Sequence, residues 1–108
     1  MFETEEQKER IILVAVATAD GDDTEQSLDE LEELGQTAGA VTVAKVIQNR
    51  EKVHAGTYVG KGKIEEIKNL AISLDADAVV CDDELSPAQY HNLQDALEIK
   101  VIDRTVMI

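Results

Sequence analysis

Seven residues, Thr57-Tyr58-Val59-Gly60-Lys61-Gly62-Lys63, form the stretch of this chain whose types and spacing suit chemistry best. Two glycines flank a lysine. A β-branched and aromatic run arrives just before them, and an amphipathic segment with Ile64, Ile67, Ala71 and Leu74 on one face leaves just after. A glycine-containing turn that opens a helix presents unpaired backbone N–H groups and the positive end of the helix dipole, which suits an anion. Lys61 and Lys63 add charge of the same sign. The chemistry indicated is contact with a phosphate; the competing reading is a helix-starting turn with solvated lysines. Nucleotide fingerprints fail on spacing. A P-loop has four residues between its first glycine and Gly-Lys, then Ser or Thr; here five residues separate Gly56 from Gly62-Lys63, and Ile64 replaces the hydroxyl. In the dinucleotide pattern, Glu65 stands where the third glycine belongs.

A second constellation is acidic. Asp82-Asp83-Glu84 follows an apolar run, and with Asp20 these carboxylates are the types that hold a magnesium ion in a phosphoryl-receiving or hydrolytic site. Such a site needs a cation near a strand end, and Arg104 would have to serve. The competing reading is that acids ahead of a helix complement its dipole. His54 and His91 have no partner at metal-ligand spacing, and the single cysteine, Cys81, sits in an apolar run and reads as a buried thiol. No catalytic, cofactor-binding or metal-binding residue is assigned. Tyr58 is the one aromatic in the basic stretch and is a candidate to stack on a base.

Charge is distributed unevenly over the 108 residues, whose formal net charge is −13. Residues 1–44 carry 12 acids and 2 bases, and residues 69–108 carry 8 and 2, whereas residues 45–68 carry 6 bases and 3 acids. Indiscriminate binding to DNA or RNA is excluded by the acidic bulk. One basic window interrupts it, holding Lys45, Arg50, Lys52, Lys61, Lys63 and Lys68, and it coincides with the glycine stretch. Contact candidates are therefore Arg50, Lys52, Tyr58, Gly60, Lys61, Gly62 and Lys63. The longest apolar run, Ile11 to Ala17, is too short to cross a bilayer, and the acidic start lacks the pattern of a secretory signal. No membrane partner and a cytoplasmic setting are expected.

The elements that position these residues alternate. Residues 1–9 read as a flexible acidic tail. A continuous apolar run over 10–18 fits a central parallel strand. Asp20 to Thr24 suits a turn and helix cap, followed by a helix with Leu28, Leu31, Leu34 and Ala38 at helical spacing, ended by Gly39. Residues 41–50 read as an edge strand, 77–82 as a short buried strand and 100–103 as the last. Ser86, Pro87 and Gln89 predict a capping box, with Leu85 and Tyr90 as its hydrophobic staple. The expected fold is α/β: a four-stranded parallel sheet in β-α-β-α-β-α-β order, helices on both faces, strand order 2-1-3-4. After the last strand Arg104-Thr105 is expected to turn outward. The apolar end, Val106-Met107-Ile108, reads as a cut within something longer.

Several runs together resemble the N-terminal domain of the HflX family of ribosome-associated GTPases. They are Leu28-Asp29-Glu30-Leu31 with Ala38-Gly39, Thr57 through Ile67, Asp82-Asp83-Glu84-Leu85-Ser86-Pro87-Ala88-Gln89, Asn92-Leu93, and Val101 through Thr105. They recur in family order and cover nearly everything from residue 11 onward. Val53-His54-Ala55-Gly56 departs from the proline-containing loop common in the family. The resemblance implies that residues 10–105 form the domain and that 106–108 begin the connection to a helical arm, followed by a P-loop GTPase domain. It also implies association with the large ribosomal subunit, through rRNA or ribosomal protein, and the splitting of stalled ribosomes. GTP and magnesium would belong to the GTPase domain, itself a partner, since no Asp-x-x-Gly or Asn-Lys-x-Asp motif occurs here.

Overall fold

A computed structural model describes residues 8–18, 23–50 and 52–107. The elements are β1 (Glu9–Ala17), α1 (Thr24–Thr37), β2 (Ala40–Asn49), α2 (Lys61–Leu74), β3 (Ala78–Cys81), α3 (Pro87–Leu97), β4 (Lys100–Asp103) and a single turn, α4 (Arg104–Met107). The four strands form one parallel sheet ordered β2-β1-β3-β4, as the hydropathy pattern predicts.

β1 is central because both its faces are covered. Ile11, Leu13 and Ala15 pack with Leu28 and Leu31 of α1 on one side. Ile12, Val14 and Val16 pack on the other with Ile64 and Ile67 of α2 and Leu93 and Leu97 of α3. Alternate side chains of a strand point to opposite faces, so one unbroken apolar run serves two cores. Burying each large aliphatic side chain contributes about 1.5–3 kcal/mol. The chain moves outward from β1 to β2, then crosses back to β3 and on to β4. With right-handed crossovers that reversal puts α1 on one face and α2 and α3 on the other.

Two boundaries differ from the sequence reading. Glu9 is not tail but the first residue of β1, paired with Ala40, and its carboxylate meets Lys100 Nζ at 2.7 Å. Thr105 is exposed as expected, but Arg104 does not turn outward; it opens α4 and reaches inward to Asp82 and Ser27. Gly39, just past α1, has φ +92°, a left-handed turn that glycine takes without a Cβ clash. The α3 capping box is present as expected: Gln89 N–H donates to Ser86 Oγ, and Ser86 N–H donates to Gln89 Oε1.

Candidate functional site

The N-termini of α1, α2 and α3 all lie at the carboxyl edge of the sheet, because each helix follows a parallel strand. The loop leading into α2 is the most constrained segment there. His54 and Tyr58 exchange backbone hydrogen bonds at 3.1 and 2.9 Å, closing a tight turn. Inside it, His54 Nδ1 accepts the N–H groups of Gly56 and Thr57, each at 3.1 Å. Two side chains of α3 hold it from outside: Gln89 Nε2 donates to the His54 carbonyl and Asn92 Nδ2 to the Gly56 carbonyl, both at 2.9 Å. Gln89 thus caps its own helix through one amide atom and holds the loop through the other.

Tyr58 is the keystone, and it overturns the stacking expectation. Its ring is 1% exposed, so no base can reach it. The hydroxyl donates to Asp83 Oδ2 at 2.7 Å, and burial, reinforced by that carboxylate, pushes its pKa up. Its φ is +70°, a left-handed conformation that costs a bulky residue about 1–2 kcal/mol. The buried ring and the hydroxyl's bond hold it there.

Gly60 and Gly62 differ from expectation in another way. Gly60 is the N-cap of α2 with φ −73° and ψ 167°, ordinary extended backbone, and it is buried. Close approach explains it: an added Cβ would lie 2.8 Å from Arg50 Nη1 and 3.3 Å from Gln48 Nε2. The Gly60 N–H is spent on Gln48 Oε1 at 2.7 Å. Gly62 is exposed in the first turn with nothing within 4 Å of an added Cβ. Neither its backbone nor its surroundings within the domain require glycine.

The basic window does not gather into one patch. Lys45 lies on the α1 face, bound to Glu32 at 2.7 Å and Asp29 at 3.0 Å, and those hydrogen bonds raise its pKa. Lys68, midway along α2, meets Glu98, and Lys63 pairs with Glu66 one turn along, at 3.0 Å. Three cations remain without a carboxylate partner among the described residues: Arg50, Lys52 and Lys61. Arg50 Nε donates to the Lys52 carbonyl at 3.2 Å, and its guanidinium stands beside Gly60. The first turn of α2 holds no acid, and among the described residues the N–H groups of Lys61, Gly62 and Lys63 have no acceptor. The arrangement is an uncapped helix start with a guanidinium beside it and two exposed lysines, competent to bind phosphate oxygens.

The acidic constellation does not fit a magnesium site. Asp20 lies outside the described residues. Asp82, 8% exposed, accepts at Oδ1 from Arg104 Nη2 at 2.8 Å, and the same guanidinium donates to the Ser27 carbonyl and hydroxyl. Asp83 is turned to Tyr58. Among the described residues no group of three His, Cys, Asp or Glu is arranged to hold a metal. A shallow recess of about 210 Å³ lies between the ends of β1 and β3, where such sheets usually bind ligands, but Asp23, Asp82 and Asp83 line it. It is small for a nucleotide and repels its phosphates.

Sequence reasoning missed Gln48, Asn92 and Asp103. Asp103 is 1% exposed; its carboxylate accepts from the N–H groups of Leu85, Thr105 and Val106 and from the Thr105 hydroxyl. Burial alone would raise its pKa, but these bonds outweigh it and hold it below the usual range. An acid at the end of an apolar strand, followed by Arg-Thr, was the available signal. Burial also pushes the Cys81 thiol up, which leaves it inert. His91 is exposed, 3.8 Å from Asp95.

Residues 25–108 match the protein family described as GTP-binding GTPase N-terminal. A protein named GTPase HflX from Lacrimispora saccharolytica is 64% identical over 108 residues, covering 100% of this chain and 26% of that protein. One of the same name from Escherichia coli is 35% identical, again covering 100% of this chain and 25% of its own length. The chain therefore spans about a quarter of the length of these curated relatives. Among solved structures, a GTP-binding protein from Sulfolobus solfataricus in complex with GDP superposes with a TM-score of 0.55 at 14% identity, over 89% of this chain and 28% of that one. At that identity the likeness is one of fold.

Proposed function

The chain belongs to the GTP-binding GTPase N-terminal family and is similar to proteins named GTPase HflX, and on that premise we propose that it is a docking module for the large ribosomal subunit. It meets rRNA through the start of α2 and leaves GTP and magnesium to a GTPase domain elsewhere in the full-length protein. One observation carries the reading: Arg50, Lys52 and Lys61 lack carboxylate partners among the described residues, and the Arg50 guanidinium and Lys61 stand at an uncapped helix N-terminus on a body of net charge −13. A patch of this kind on an acidic body favours one docking orientation and keeps the remaining faces off RNA. Gly62 suits a surface that another backbone or a phosphate approaches closely. Tyr58 takes no direct part; it holds the loop, and Lys63 is paired with Glu66. The protein works in the cytoplasm, where ribosomes are; among the described residues no helix is long and apolar enough to cross a membrane.

Pelleting of the chain with purified large subunits across a salt series tests this. With about three phosphate contacts, log affinity falls against log salt with a slope of about −2 to −3. Binding that is absent at low salt, or indifferent to salt, contradicts the proposal.

A further inference from the structure

We propose that Tyr58 is a strained catch that couples the loop before α2 to α4. Tyr58 stays in the left-handed region at φ +70° because its ring is buried and its hydroxyl is bound to Asp83. The residue next to Asp83 is Asp82, whose carboxylate holds Arg104, the first residue of α4, at 2.8 Å. Two residues beyond Asp83, the Leu85 N–H is held by Asp103, the same carboxylate that accepts the Thr105 and Val106 N–H groups of α4. The short segment from Asp82 to Leu85 is therefore gripped on one side by the loop and on the other by α4. Releasing the Tyr58 hydroxyl lets the strained backbone relax and frees Asp83. The adjacent Asp82–Arg104 pair then loses its fixed geometry, and α4 loosens with the loop. The two states are the catch held, with the loop and α4 ordered together, and the catch released, with both open. The catch sets the conformation of the loop whether or not a partner is bound, so its release is followed without RNA.

Amide hydrogen exchange on the whole chain, read residue by residue, compares the parent with Tyr58→Phe, Asp83→Asn, Arg104→Gln and Arg104→Lys. Tyr58→Phe is expected to speed exchange at Tyr58, Gly60 and Ile64 by at least tenfold. It should also speed exchange at Thr105 and Val106 several-fold, leaving Val14 and Val80 in the central strands unchanged. Asp83→Asn keeps an acceptor for the phenol and should stay within twofold of the parent at every one of these amides. Arg104→Gln should loosen the loop as well as α4, and Arg104→Lys, which keeps the charge, should do so less. Opening of the loop with Thr105 and Val106 unmoved overturns the coupling, as does no change at the loop. So does a uniform rise that includes Val14 and Val80, which marks general destabilisation. If Arg104→Gln does not fold, the Tyr58→Phe and Asp83→Asn arms decide alone.

Discussion

Gly62 offers a test in which stability and binding move in opposite directions. Glycine inside a helix costs about 0.5–1 kcal/mol relative to alanine, and nothing in the domain occupies the space a methyl would fill. Gly62→Ala is expected to raise stability by about that amount in a urea melt while weakening ribosome association. Stabilised protein with undiminished association would show that no close approach occurs there. Gly60→Ala has the opposite expectation. Its methyl meets Arg50 and Gln48, so it should destabilise by about 1 kcal/mol as the guanidinium shifts. Asp103 governs behaviour in acid. Its folded pKa lies below that of the unfolded chain, so between the two values the unfolded state binds more protons and stability rises with pH. Its contribution is complete above the ordinary carboxyl range, near pH 4, and is lost as pH falls through the lower folded value. Asp103→Asn should cost about 2 kcal/mol at pH 7, since an amide N–H₂ replaces one acceptor of three backbone donors and a hydroxyl. The gap to the parent should narrow by pH 3, as urea midpoints at both pH values would reveal. A gap that widens in acid would contradict this assignment.

At the scale of elements, local grammar carried far. The capping box of α3 was readable because Ser86, Pro87 and Gln89 meet within one turn. The strand order was readable because β1 and β3 are apolar on both faces while β2 alternates. What could not be read is what spans elements. Tyr58 reaches Asp83 across 25 residues, Gln89 reaches the His54 carbonyl across 35, and Arg104 reaches Ser27 across 77, with no local pattern to announce them. The basic window could not be sorted into paired and unpaired cations for the same reason: whether a lysine is available depends on partners such as Glu32 and Glu98, which only the packing of helices supplies. The double role of Gln89 can be separated. Ser86→Ala removes the cap alone and should cost about 1 kcal/mol, spread over α3. Gln89→Ala should in addition speed amide exchange in the loop at Gly56 and Thr57. Equal loop protection in the two variants would show that the Gln89–His54 bond does not hold the loop.

On the whole molecule, the location of charge decides docking, and not its amount. Lys45, Lys68 and Lys100 are each paired with carboxylates, whereas Arg50, Lys52 and Lys61 have none among the described residues. Changing either trio to glutamine removes three positive charges, so the two variants carry the same net charge and feel the same overall repulsion from RNA. The decisive measurement is association of these two variants and the parent with large ribosomal subunits over a salt series, with folding checked by circular dichroism. The Arg50/Lys52/Lys61 variant is predicted to lose at least tenfold in affinity and most of its salt dependence, while the Lys45/Lys68/Lys100 variant stays within about threefold of the parent with its slope intact. Equal losses in the two variants would contradict a docking site at the start of α2.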